Sequence, residues 1–295
     1  MAAEYQEPDW RVIDYQTFCL DERLVDPSTH RPLCIRGPRP DELRRGEYAV
    51  FLGAAQTFGR FCQKPYPTLL GERLGLPILN ISHGGAGALY FCLMKDALAK
   101  YVNEACFVVV QAMSVRSESN SLFESQGVGH YRRRSDGVLI GCDEAYADLL
   151  KMHWKWYVRR IVQETRSSWC HSYETLFSLI KVPKILFWFS EREPAYRDDY
   201  RSVQRLFSSY PQLVNADMIA TIRRMCDDYV ACVGPRGLPQ TLFDRFSGER
   251  IMISDPWTSA PWPENWYYPS PEMHEDAAAA LEPVCRRIIR SGRAA

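Results

Sequence analysis

The stretch FLGAAQTFGR (residues 51–60) opens with apolar residues, meets Gly53, continues through small residues, and reaches Thr57 and Gly59 before a helical pattern begins. A buried strand that turns into a helix through a bend needing small side chains reads this way. The strand itself begins upstream, at YAVFL (48–52). Four further short runs share its character: ILNI (78–81), FVVVQAM (107–113), KILFWF (184–189) and YVACV (229–233). None alternates apolar with polar, so each predicts a strand covered on both faces. Helix-length segments lie between them at roughly 58–74, 86–103, 143–181 and 199–228. Strand–helix alternation predicts an α/β fold: a three-layer α/β/α sandwich around a five-stranded parallel sheet.

The longest of those segments, 143–181, exceeds an ordinary helix and is expected to divide near 165–168, with the aromatics of KMHWKWYVRR (151–160) packed in the core. Residues 272–289 read as a last helix, acidic early and basic at Arg286, Arg287 and Arg290, as the helix dipole favours; Pro283 should kink or divide it. Residues 1–46, with the proline-rich RGPRP (36–40), are expected to wrap an α/β domain of residues 47–295 as an arm.

Composition narrows the function. The chain has 295 residues, 46% hydrophobic and 24% charged, which excludes disorder. Lys plus Arg and Asp plus Glu are both 36, and a net charge of zero argues against nucleic-acid binding by bulk charge. No apolar run reaches the roughly 20 residues of a membrane span, and MAAEYQEPDWRVIDY (1–15) lacks the regions of a signal peptide, so a cytoplasmic location is expected. Ten scattered cysteines without a C-x-x-C pair read as reduced thiols, not as disulfides or a zinc site. The turn at 53–59 is neither a Walker A loop nor a dinucleotide fingerprint, so neither a cofactor nor a metal is expected.

In a parallel sheet, ligands bind where strand carboxyl ends meet helix amino termini. Four such ends carry recognisable wording: GAAQTFGRF (53–61), NISHGGAG (80–87), QAMSVRSESN (111–120) and YYPSPEMH (267–274). Their order and spacing resemble the SGNH/GDSL hydrolases, and their phrasing is similar to a bacterial domain family of unknown function with an SGNH-like core. The resemblance implies a flavodoxin-like strand order, an oxyanion-holding turn at Gly84 and Gly85, and a histidine at His274. It departs from the hydrolases where it matters. Ala55 stands at the nucleophilic serine, Pro271 at the catalytic aspartate, and Ser114 and Asn120 compete for the third-block asparagine.

Three alternatives to the missing serine are open: Thr57 as a displaced nucleophile, Ser82 (which also suits a turn), or His274 as general base on water or an acceptor hydroxyl, oriented by Glu272 or Glu275. The expected function is therefore ester or group-transfer chemistry on a small polar saccharide or anionic substrate, with His274 and Thr57 catalytic. Gly53, Ala55, Gln56, Gly84, Gly85, Ser114, Arg116 and Asn120 would bind substrate. The alternative is a catalytically silent binding protein that keeps the fold. The 143–181 aromatics leave an oligomer open.

Other features read as structural or ambiguous. Arg116 leaves a buried strand and suits an anion, or an ion pair with Glu118 or Glu124, within a polar loop at 114–136. Arg132–Arg134 read as solvated. Cys170 and His171 point apart on a helix. Asp198-Asp199 and Asp227-Asp228 suit helix flanks better than metal. The aromatics of WTSAPWPENWYY (257–268) suit either sugar stacking or a structural cover.

Overall fold

A computed structural model describes residues 7–254 and 261–293 of the chain. A short helix, α1 (Glu7–Val12), and a two-residue ladder of β1 (Phe18–Cys19) on β2 (Cys34–Ile35) precede the main sheet. The sheet comprises β3 (Ala49–Gly53), β4 (Ile78–Ser82), β5 (Phe107–Gln111), β9 (Lys184–Ser190) and β10 (Asp228–Val233). All its pairings are parallel, in the order β10-β9-β5-β3-β4. The three intervening strands, β6 (Phe123–Ser125), β7 (His130–Arg133) and β8 (Leu139–Gly141), form a separate antiparallel sheet. The five apolar runs are the five parallel strands, and the first lies inside the sheet between the second and third, which is the flavodoxin-like order.

Alternate residues of each strand serve opposite layers. Val50, Leu52, Val108, Val110, Leu186 and Trp188 face one core; Ala49, Phe51, Phe107, Val109, Ile185 and Phe187 face the other. The first core is covered by α4 (Ala88–Leu93), α5 (Lys95–Asn103), α6 (Cys142–Met152), α7 (Lys155–Leu179) and α9 (Ala216–Arg223). The second is closed by α3 (Tyr66–Leu74) and α10 (Pro271–Arg293). Burial on both faces is why no strand alternates.

Several helix boundaries differ from the sequence reading. The 143–181 segment breaks at His153 and Trp154, both in extended backbone, and not near 165–168. Thr165 is tolerated inside α7 because its Oγ1 donates back to the Ile161 carbonyl at 2.8 Å and also meets Tyr146 OH. Trp154 and Trp156 are 78% and 64% exposed, so these two tryptophans do not pack in the core. Pro283 does not divide α10, which runs 23 residues through it. The 58–74 segment yields the single-turn α2 (Ala55–Phe58) and then α3, and 199–228 yields α8 (Val203–Phe207) and α9.

The 114–136 stretch is not an open loop. A 3-10 turn at Val115–Ser117 leads into the β6–β7 hairpin. Gly127, at φ +81°, lies against the Tyr90 backbone where any side chain would collide. Asn120 shapes the same region: its Oδ1 accepts from the Leu122 and Phe123 amides, and its Nδ2 donates to Thr165. None of the ten cysteines forms a disulfide. Among the described residues no helix is long and apolar enough to cross a membrane.

Candidate binding site at the carboxyl edge of the sheet

The chain runs from β3 to β4 on one side and from β5 to β9 on the other, so the carboxyl ends of β3 and β5 flank the switch point where such sheets bind ligands. Here a side chain fills it. Gln111, the last residue of β5, accepts at Oε1 from the Ala54 amide (3.0 Å) and from Thr57 Oγ1 (2.7 Å). Gly53 makes room for this, since a Cβ there would collide with Thr57 Oγ1 and Gln111 Oε1. Thr57 is fully buried; its hydroxyl also meets Tyr66 OH at 2.9 Å, and its carbonyl accepts from Asn80 Nδ2. Neither the Thr57 hydroxyl nor the Ala54 amide is thereby left over for a substrate.

His274 is wholly buried between Tyr66 and Phe189. The Tyr66 backbone N–H donates to its Nδ1 at 3.1 Å, and Nε2 has no partner among the described residues. Burial pushes its pKa down to about 3, and the positive charge of Arg36 adds to the shift. A neutral imidazole whose Nδ1 lone pair is engaged carries its proton on Nε2 and has no lone pair left to act as a base. Tyr66 connects His274 to Thr57, its amide on the first and its hydroxyl on the second. Around the histidine, Ser270 Oγ accepts from the Met273 amide and Pro271 takes the first helical position, so Ser-Pro caps α10. Glu275 and Asp276 face Arg236, and Glu272 offers Arg236 its carbonyl.

An open crevice of about 880 Å³ lies one strand further along, over the carboxyl end of β9, lined by Gln56 from α2, Phe189 and Ser190, the 208–212 segment, Tyr267 and Met273. Its floor is held through backbone carbonyls: Ser190 Oγ donates to Tyr210 O, Arg192 to Pro211 O and Val214 O, and Arg166 to Leu213 O. Tyr210 and Gln212 of that segment line the space, as does Gln56. Gln56 and Gln212 are each 3% exposed and Tyr210 8%, yet Gln56 Oε1, Gln212 Oε1 and Tyr210 OH have no partner among the described residues. Gln212 is oriented by its Nε2, which donates to Tyr267 OH at 2.8 Å.

The remaining expected residues are distributed as follows. Arg116 pairs with Asp143 at 2.8 Å, not with Glu118 or Glu124, and Asp143 itself lines the crevice. Ser114 Oγ caps the 3-10 turn by accepting from the Arg116 amide. Gly85, at φ +72°, accepts at its carbonyl from Ser117 Oγ, and Gly84 is buried beside it. Ser82 donates to Asn80 within β4. Asp198 pairs with Arg166, Asp199 with Arg201 and Arg205, and Asp228 with Arg287, while Asp227 accepts from the Lys184 amide. His171 is exposed beside Glu174. Arg132–Arg134 bind Gly137 O, Asp136 and Asn120 O. Trp257 lies outside the described residues, whereas Trp266 and Tyr267 line the crevice. Gln212, Tyr210 and Ser190 were missed by the sequence reading. The only signal for Gln212 and Tyr210 is a polar residue between apolar ones in SSYPQLVN (208–215), and Ser190 directly follows the apolar run at 184–189.

Fold and crevice together define a doubly wound α/β protein with a crevice at the carboxyl edge of a five-stranded parallel sheet. The chain belongs to a family described as a domain of unknown function, DUF6473, matched over residues 28–138 and 149–289. No curated protein matches it. Among solved structures it is similar to LAE5, an α/β hydrolase enzyme from the metagenome of Lake Arreo, Spain, at 13% identity over 83% of this chain and 98% of that one, with a TM-score of 0.41. It is also similar to a family two carbohydrate esterase from Cellvibrio japonicus (11% identity, 88% and 66% of the two chains, TM-score 0.38). An active-site mutant of a family two carbohydrate esterase from Clostridium thermocellum gives 11% identity, 86% and 66% coverage and a TM-score of 0.41.

Proposed function

We propose that this protein recognises a small polyhydroxylated molecule, saccharide-like in size and polarity, in the crevice over β9, and does so without forming an acyl-enzyme. The observation that carries the reading is that Gln56, Gln212 and Tyr210 line one cavity and are themselves buried, while Gln56 Oε1, Gln212 Oε1 and Tyr210 OH have no partner among the described residues. Each such atom costs about 1–3 kcal/mol if nothing meets it, and a ligand bearing several hydroxyl groups supplies the missing donors.

Ester or group-transfer chemistry through Thr57 or His274 is the weaker reading. Residue 55 is alanine, the Thr57 hydroxyl and Ala54 amide are spent on Gln111, and the accessible lone pair of His274 is spent on Tyr66. Arg116, expected to grip substrate, acts on the crevice through Asp143 as a positioning residue. A serine-reactive phosphonate probe should leave the protein unlabelled. Saturation-transfer NMR with glucose and N-acetylglucosamine should show binding that Gln56→Leu and Gln212→Leu each weaken by tenfold or more. Labelling at a hydroxyl residue of the 53–61 turn would restore the hydrolase reading; saccharide binding indifferent to both leucine variants would remove the crevice from it.

A further inference from the structure

Two of the ten thiols face each other. On the β1–β2 ladder Cys19 stands directly opposite Cys34, and Phe18 opposite Ile35. Opposed residues put their side chains on one face, and neighbours along a strand take opposite faces. Phe18, Leu20, Leu33 and Ile35 pack into the first core, so Cys19 and Cys34 stand together on the outer face of the ladder, each partly exposed. Opposed residues on an antiparallel ladder have Cα atoms about 4.5–5.5 Å apart, inside the roughly 4.4–6.8 Å that a disulfide spans. We infer that Cys19 and Cys34 are a reversible redox pair, joined by oxidation into a disulfide across the neck of the hairpin they bracket.

That hairpin reaches the main sheet. It is closed by the Asp26 amide on Arg31 O (2.8 Å) and the Leu33 amide on Leu24 O (2.7 Å). It carries Asp26 to 3.5 Å from His83 Nε2, just after β4, and Asp21 to the hydroxyl of Tyr101 in α5 at 2.9 Å. A bond between Cys19 and Cys34 fixes the hairpin at its base and so clamps both contacts. Other thiols compete poorly. Burial pushes Cys62, Cys92 and Cys285 up to about 12, Cys226 and Cys232 up to about 11, and raises Cys142 and Cys170. A thiol so shifted stays protonated near neutral pH, and the thiolate is the reactive form.

Hydrogen peroxide is an oxidant that balances the step. One thiolate attacks it and keeps one oxygen as a sulfenic acid, while the other oxygen leaves as hydroxide and is protonated to water. The facing thiol then attacks that sulfur, forming the S–S bond and expelling the second oxygen as water. Two electrons pass from the two sulfurs to the peroxide. A dithiol reductant reverses the bond by exchange.

The test uses the full chain, reduced and then exposed to hydrogen peroxide, with free thiols alkylated before peptide mapping without reductant. The peptide linking Cys19 to Cys34 should exceed any other linkage by at least about tenfold, with a mass loss of two hydrogens, and dithiothreitol should restore both thiols. In Cys34→Ser, Cys19 should stop at the sulfenic acid and take up dimedone. The oxidised parent should melt about 3 °C or more above the reduced one, with slower amide exchange over residues 20–33; Cys19→Ser/Cys34→Ser should show neither change. Recovery of Cys19 and Cys34 both alkylated after peroxide, or a bond from either to a third cysteine, would overturn the pair. A Cys19–Cys34 bond that leaves melting and exchange unchanged would overturn the clamp.

Discussion

The backbone amide of Tyr66 donates to Nδ1 of His274 at 3.1 Å, joining the first residue of α3 to the first turn of α10. These two helices close the second core of the sheet, so the bond pins the layer below the crevice. The histidine that the sequence offers as a proton carrier is thereby built into a helix contact.

Titration follows from that contact. In the unfolded chain the imidazole protonates near pH 6.5, whereas in the fold it stays neutral down to about 3. Between those values the unfolded state binds the extra proton, so acid withdraws stability, at about 1.4 kcal/mol per pH unit for one such group. Above 6.5 the group has no effect on the pH slope. His83, buried and also shifted down, adds in the same direction. Urea unfolding from pH 7 to 5 should therefore cost the parent about 2 kcal/mol more than His274→Gln. Parallel curves would mean that His274 protonates in the fold at about the same pH as in the unfolded chain.

Glu118 predicts the opposite slope. Its carboxyl is buried against α4 and α7, accepting from the Leu89 amide (3.2 Å) and from Ser172 Oγ (2.8 Å), and burial pushes its pKa up to about 8. The unfolded chain ionises it near 4.5, so between there and about 8 the fold binds the extra proton and stability falls as pH rises. Glu118→Gln keeps an oxygen for Leu89 and supplies a donor to Ser172. Its stability should equal the parent's near pH 4 and exceed it near pH 8, by about 1.4 kcal/mol or more.

The plug at the switch point makes a third prediction. Thr57→Ser keeps the hydroxyl between Gln111 and Tyr66 and should cost under about 1 kcal/mol. Thr57→Val leaves two buried polar partners short and should cost about 1–3 kcal/mol. Gly53→Ala should cost as much or more, because its methyl enters the space of Thr57 Oγ1 and Gln111 Oε1. Calorimetric melts of the three separate a structural hydroxyl from a reactive one: a nucleophile would lose reactivity in the valine variant with little change in stability.

The strands were legible in the sequence because burial on both faces leaves an unbroken apolar run, as in FVVVQ and KILFWF. The strand order came only from the resemblance, since apolar runs do not say which neighbours pair. Helix ends were illegible where no side chain marks them: α7 starts after Trp154 with no capping side chain, while Thr165 mimics a break that its bond to Ile161 removes. Gln56 stands within a recognisable turn, and the structure puts it on the crevice wall. Gln212 lies in a connection whose shape depends on carbonyls gripped by Ser190, Arg192 and Arg166, and no local pattern records such distant anchors.

Those anchors carry the last prediction. Arg166 is 5% exposed and donates to Leu213 O (3.0 Å), to both Asp198 oxygens (2.9 and 2.7 Å) and to Tyr196 OH (2.8 Å), binding α7 to the wall that holds Tyr210 and Gln212. A lysine retains the charge but not the planar fork, so it cannot span Leu213 and Asp198 together. Arg166→Lys should lower stability by about 1–3 kcal/mol and weaken saccharide binding several-fold, because Gln212 follows the Leu213 carbonyl when that carbonyl is released. Arg287→Lys, altering an exposed pair with Asp228, should change stability by less than about 1 kcal/mol and leave binding untouched. If Arg166→Lys lowers the melting temperature yet leaves the dissociation constant unchanged, Ser190 and Arg192 suffice to hold the wall, and the long reach from α7 serves the fold alone.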